Sequence, residues 1–239
     1  MERLWFKEDK YKTKRFVFDA KAIATPKEKA KSEQVQNPTH TESLSTFIYI
    51  HARAASRLTS GSLRPSILVQ AVNIQRKTNP HMSYNSMGNL FWYAFVAHDY
   101  NSVESTEIKL RGLVAILREA VAKIDSDGRI LQGHEGFTTR IKYFYQKTVA
   151  MVFKNPEIFC FTCWLTFGFD EIDFGWGKPI WVGLMGEGGS CRNLIVLQNT
   201  TTVNGIEAWM TLDENIMSTL EQDPEFLAFA TLSPSVLIQ

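Results

Sequence analysis

The sequence predicts a mixed α/β fold, and three observations carry that prediction. Two long segments repeat apolar residues at three- and four-residue steps: Leu44, Phe47, Ile48, His51, Ala54, Ala55 and Leu58, then Ile108, Leu113, Ile116, Leu117, Val121 and Ile124. That period marks an amphipathic helix with one buried stripe. Shorter, nearly continuous apolar runs, Ile67 to Ile74 and Gly88 to His98, read as strands covered on both faces. The final third turns strand-rich, with Ile158–Phe167, Ile180–Leu184, Leu194–Gln198 and Ile206–Leu212 separated by glycine, asparagine and threonine turns. Helices and strands that alternate and then give way to strands argue for one mixed-sheet domain over residues 1–239.

The remaining elements follow in order. Arg15–Asp19 is a short strand, and the Ala- and Lys-rich stretch Ala20–Ser32 is helical. Pro26 must sit in the first turn of that helix or break it, because its ring lacks the amide hydrogen. Gln36-Asn37-Pro38-Thr39 is a turn, and so is Ser60-Gly61-Ser62 after the first amphipathic helix. A turn at Asp127-Gly128 precedes a further helix within Gly136–Lys154. Glu214–Leu227 closes the pattern as a helix interrupted or ended near Pro224.

Composition narrows the function classes. The chain has 239 residues, enough for a substantial core, and a formal net charge of +1. Such a balance gives no bulk attraction to nucleic acid or to a membrane surface. Lys10, Lys12, Lys14 and Arg15 are interspersed with Glu8, Asp9 and Asp19, the pattern of a solvated face. No segment approaches the roughly 18 uninterrupted apolar residues of a membrane helix. Met1–Lys14 has no apolar core of signal-peptide length, so the expected location is cytoplasmic.

The chemistry-bearing residue types give little on their own. Cys160-Phe161-Thr162-Cys163 has redox spacing but lies in a strand, where no helix N-terminus lowers a thiol pKa. It also lacks partners for a metal site, so buried, inert cysteines and no metal are expected. Gly183–Ser190 is glycine-rich, yet a strand follows it where a phosphate loop needs a helix, so a hairpin or surface loop is the better reading. His98-Asp99 and His134-Glu135 are neighbours whose side chains diverge, and His51 sits on an apolar stripe as a satisfied, semi-buried imidazole. A G-x-S-x-G nucleophile turn is absent.

One segment stands apart. In Asp173-Phe174-Gly175-Trp176-Gly177-Lys178-Pro179, glycines alternate with large aromatic residues, so the backbone can turn sharply while each ring finds a pocket. An aspartate in such a rigid turn is expected to pair with an arginine. The segment resembles the DFGWG signature of the plant BAHD acyltransferases, which transfer acyl groups from coenzyme A to alcohols or amines. Thr41–Ile48 with His51–Ala55, Leu68–Asn73, Met87–Trp92 and Asn204–Leu212 also resemble blocks of that family. The flavour is nearest the alkaloid O-acetyltransferase clade that includes vinorine synthase, and the match corresponds to the C-terminal half of a family member.

The resemblance implies a chloramphenicol acetyltransferase-like fold, equivalent to the second of two domains that flank a channel. Acyl-CoA, with acetyl-CoA as the expected co-substrate, enters from one side and the acceptor alcohol from the other. The family's base is the histidine of an H-x-x-x-D motif, supplied by the first domain. No histidine here satisfies that pattern: Leu44, Ala55, Asn85, Ser102 and Thr138 stand where the aspartate should follow His40, His51, His81, His98 and His134. No catalytic residue is therefore assigned. Asp173, Phe174, Gly175, Trp176 and Gly177 are expected to be structural, with Thr162, Trp164 and the Phe174–Gly177 turn nearest the channel. Gln75 occupies the place of an arginine that would hold the signature aspartate, and Arg76 is displaced by one residue.

A positioned base contributes roughly 10²- to 10⁴-fold in rate, so family-type transfer by this chain alone should be lost or strongly impaired. The alternatives are a non-catalytic paralogue that binds an alkaloid or a partner, or a repurposed alkaloid-converting activity. An exposed inter-domain face would favour self-association or pairing with a full-length relative.

Overall fold

Seven strands form one mixed sheet in the computed structural model, which describes residues 10–61, 64–75, 83, 87–97, 106–126, 138, 142, 156–184, 192–200 and 204–232. The strands are Tyr11–Phe18 (β1), Ser66–Asn73 (β2), Phe91–Ala97 (β3), Glu157–Cys163 (β4), Leu194–Asn199 (β5), Ile206–Asp213 (β6) and Thr231–Leu232 (β7). The helices are Ala20–Lys29 (α1), His40–Ser60 (α2), Thr106–Ser126 (α3), Glu214–Leu220 (α4) and Pro224–Leu227 (α5). Spatial order is β3-β2-β4-β5-β6-β1-β7. The central pairs β2–β4 and β4–β5 are parallel, and the pairs toward both edges are antiparallel. Parallel neighbours need a long crossover, which accounts for the chain between β2 and β4.

The period-two alternation of the strands divides the sheet into two faces. Phe16 and Phe18, Leu68, Phe159 and Phe161, Ile195 and Leu197, and Ala208, Met210 and Leu212 pack with the helices. Leu44, Phe47 and Ile48 of α2 and Leu113 and Leu117 of α3 meet them from above. Phe226 of α5 closes this core, with its ring edge-on to Phe16 and Phe18 and stacked at 6.0 Å on Phe47. The opposite face carries a smaller apolar group, Ile67, Val69 and Ile158 with Tyr93, Phe95 and Cys160 against them.

Helix α2 owes its start to Thr39, whose hydroxyl accepts from the Glu42 amide while Glu42 accepts from the Thr39 amide. It ends at Gly61, whose φ of 63° lets the chain leave in the left-handed region. Glu42 also takes two hydrogen bonds from Arg118 of α3, at 2.9 and 2.6 Å, and Arg118 reaches the Asn37 carbonyl. Both helices are thereby fixed to one junction.

Several expectations need correction. Pro26 lies near the end of α1, buried, and the helix continues to Lys29. Only one intrahelical bond is lost so close to the C-terminus, and the Ala30 amide still reaches the Pro26 carbonyl at 2.9 Å. Leu58 keeps the apolar period yet is 78% exposed, because the buried stripe of α2 ends at Ser56. β3 is an edge strand and is half-buried over most of its length, so it is not covered on both faces as its composition implied. β4 stops at Cys163, where Trp164–Phe167 forms a turn, and Ile180–Leu184 is not a strand among the described residues. Asp223 breaks the closing helix as expected, capping α5 with Pro224 in its first turn. The expected Asp127-Gly128 turn lies outside the described residues, as does all but residues 138 and 142 of Gly136–Lys154. Most of Gly183–Ser190 lies outside them too. Among the described residues, no helix is long and apolar enough to cross a membrane.

Burial opposes ionisation of Glu42, but the Arg118 hydrogen bonds, the Thr39 amide and the Arg118 charge outweigh it and hold the carboxyl below its ordinary range. A depressed folded-state pKa stabilises above the unfolded value and ceases to do so as pH falls through the folded value. Arg118→Ala should therefore cost about 1 kcal/mol at neutral pH, a value trimmed by partial exposure. The gap from wild type should shrink as urea denaturation is repeated at pH below the usual carboxylate range. A gap that stays constant with pH would refute this account of the junction.

Candidate functional site

The face of the sheet turned away from the described helices carries a cavity of about 540 Å³. Its floor is the end of β4, where Cys160 and Thr162 project beside Val69 and Ala71 of β2. Phe91 and Tyr93 of β3 form one wall, packed edge-on at 5.2 Å. The other wall is an aromatic turn. Trp164 stacks on Phe167 at 6.1 Å, and Phe169 meets both rings edge-on. The Trp164 amide bonds the Leu197 carbonyl at 2.7 Å, and Asn199 Nδ2 donates to the Leu165 carbonyl, so β5 holds this turn in place.

The lining is apolar and aromatic with a few neutral polar groups, Asn73, Gln75, Asn89, Thr162 and Thr166. Among the described residues it contains no imidazole, carboxylate, ammonium or guanidinium. Such a surface can bind the body of an apolar ligand and orient it; its titratable side chains among the described residues are the Cys160 and Cys163 thiols and the Tyr93 phenol, with no histidine among them. His40 stands at the first position of α2, where burial and then Lys27 hold its pKa below the ordinary imidazole value. His51 is 4% exposed and bonds Asp223 through Nδ1 at 2.7 Å, more deeply buried than its expected semi-buried state. His81, His98 and His134 lie outside the described residues.

Thr162 and Trp164 thus line the cavity, whereas Phe174–Gly177 do not. The signature turn is built differently from expectation. Asp173 Oδ1 accepts from the amides of Gly175 at 2.7 Å and Gly177 at 3.0 Å, and these amides hold its carboxyl below the ordinary range. Gly175 and Gly177 have φ of 99° and 108°, which only glycine adopts readily. No arginine among the described residues pairs with Asp173; Arg76 lies outside them, and Gln75 Nε2 donates to the Ser83 carbonyl. Phe174 and Trp176 stack on each other at 5.6 Å but are 72% and 84% exposed, so neither ring occupies a pocket of this chain. The C-x-x-C cysteines are half-buried rather than buried, because β4 ends at the cavity. Alternation sends them to opposite faces: Cys160 packs with Val69, and Cys163 Sγ lies 3.1 Å from Thr41 Oγ1 of α2. No grouping of His, Cys, Asp or Glu among the described residues could hold a metal.

What sequence reasoning missed is the anchor beyond the signature turn. Glu207 of β6 is 3% exposed. Its Oε1 accepts from Arg15 Nη1 at 2.9 Å and Trp181 Nε1 at 3.3 Å, and its Oε2 from Gln198 Nε2 and Trp209 Nε1, both at 3.2 Å. The Arg15 guanidinium also lies 5.5 Å from the Trp181 ring centroid, and Gln198 Nε2 reaches the Val182 carbonyl at 2.6 Å. Gly183 leaves room for the Trp181 ring that a Cβ would take. The local hint was a lone carboxylate in an apolar strand; its partner Arg15 is visible only once β1 pairs with β6.

A family model described as the Transferase family matches residues 6–227. The chain belongs to that family. A limonoid 7-O-acetyltransferase of Citrus sinensis is 41% identical over 98% of this chain and 51% of its own length. An epi-neemfruitin B 7-O-acetyltransferase of Melia azedarach is 39% identical over 97% of this chain and 51% of its own. The crystal structure of vinorine synthase superposes with a TM-score of 0.70 at 25% identity, covering 93% of this chain and 48% of that one. The BAHD resemblance and the chloramphenicol acetyltransferase-like fold are thereby borne out. The chain spans about half the length of the curated relatives it matches.

Removing the Glu207 carboxylate leaves the Arg15 charge, two indole N–H groups and an amide without their shared acceptor. Glu207→Ala should cost about 3 kcal/mol in equilibrium denaturation. Trp181 should also lose its seat and contribute a red-shifted emission. Unchanged stability together with unchanged fluorescence would overturn the anchoring role.

Proposed function

We propose that this chain forms one wall of the channel of an acyl-CoA-dependent O-acyltransferase of plant specialised metabolism, as the C-terminal lobe of a two-lobed, cytoplasmic enzyme. The carrying observation is the cavity at Thr162 and Trp164, open on the face away from the described helices and lined, among the described residues, without a histidine or a carboxylate. Tyr93, Trp164 and Phe167 receive the rigid apolar body of a polycyclic alcohol, and the Thr162 hydroxyl offers it one hydrogen bond. The similarity to limonoid 7-O-acetyltransferases supports a limonoid-like alcohol ahead of the alkaloid read from the sequence. Acetyl-CoA serves as acyl donor. The acceptor oxygen attacks the thioester carbonyl, the C–S bond breaks, and coenzyme A departs as the thiol. The acceptor's proton goes to a base on the other lobe, which passes it to the departing thiolate; this wall offers no histidine among the described residues.

A second reading, a non-catalytic ligand-binding paralogue, draws on Gln75 in place of the family arginine and on the exposed Phe174 and Trp176. The two readings separate in one experiment. The chain is assayed with acetyl-CoA and a limonoid 7-alcohol, alone and mixed with the separately produced N-terminal half of the Citrus sinensis relative. No turnover alone and acetylated product on mixing is the expected result, with Thr162→Val or Trp164→Ala lowering kcat/KM about tenfold in the mixture. Alcohol binding without rescue would favour the binding paralogue. Turnover by the chain alone at full-length rates would sink both.

A further inference from the structure

On the helix side of the sheet, α2 meets the start of α3 and the α4–α5 junction around a second cavity, of about 160 Å³. Arg53 lines it. This arginine is 8% exposed, yet its Nε has no hydrogen-bond partner and its guanidinium forms no ion pair among the described residues. A guanidinium has five donors in a fixed fork, and leaving its buried Nε–H without an acceptor is unfavourable.

The nearby carboxylates do not fill that role. Asp223 gives Oδ2 to His51, at 2.7 Å, and Oδ1 to the amides of Glu225 and Phe226. Glu157 feels the Arg53 charge from outside ion-pair distance, takes a hydrogen bond from Ser56, and is pushed toward its neutral form chiefly by burial. Meanwhile Arg57 and Lys109 bring two further cations to the rim, opposed there by the exposed Glu225.

We propose that this cavity binds a small oxyanion the size of inorganic phosphate, with Arg53 as its buried contact and Arg57 and Lys109 at its mouth. A space of about 160 Å³ admits a few heavy atoms with a water or two, each water taking about 30 Å³. Its lining shares no residue with the cavity at Thr162 and Trp164, so the site does not rest on the acyltransfer reading. A bound oxyanion bridges α2 to α3 and stabilises the helix layer by mass action.

The test is calorimetric titration of the purified chain with inorganic phosphate at constant ionic strength, paired with thermal melts against matched chloride. The expected result is saturable binding of one phosphate per chain, with Tm rising in phosphate and not in chloride. Arg53→Gln should abolish binding, and Arg57→Ala, at an exposed residue, should weaken it by about fivefold. If Arg53→Gln fails to fold, Arg57→Ala and Lys109→Ala decide. Absence of saturable binding to the wild type overturns the site, as does unchanged affinity in the folded variants.

Discussion

A sheet with apolar side chains on both faces, and described helices on only one, sets the terms for the rest of this molecule. Alternation along β4 illustrates the consequence. Phe159 and Phe161 enter the main core, while Cys160 and Thr162 go to the side where the large cavity opens. The site is therefore the reverse side of the same strand that builds the core, and its position is as rigid as that core. Only Gln75, residues 88–90 and the aromatic turn at residues 164–169 add non-strand lining to that floor among the described residues.

The second constraint is a buried carboxylate. Glu207 gathers donors from β1, β5, β6 and the segment after the signature turn onto one pair of oxygens. Buried charge is tolerated only with such full compensation. The arrangement ties the stretch Ile180–Leu184 to the sheet without adding a strand among the described residues, and it carries Trp181 onto Arg15 and Trp209.

Much of the fold was legible from the sequence because it rests on local period. α2, α3, β5 and β6 follow from spacing alone, and Asp223-Pro224 announces the break before α5. The failures share a different cause. Whether β3 is an edge, whether Ile180–Leu184 finds a partner strand, and whether Leu58 is covered are all decided by neighbours distant in sequence. The candidate site divides the same way. Thr162 and Trp164 were placed through the family resemblance and do line the cavity. The tie from Arg15 to Glu207 spans most of the chain, so it becomes visible only with strand register.

Asp173 reaches back to its own loop amides, and two glycines accept the torsion that this requires. The turn's own amides thus fix its contour, with no arginine on Asp173 among the described residues, and its stacked rings are displayed on that scaffold. Any surface that received Phe174 and Trp176 would meet them already ordered, so little conformational entropy would remain to be lost at that contact.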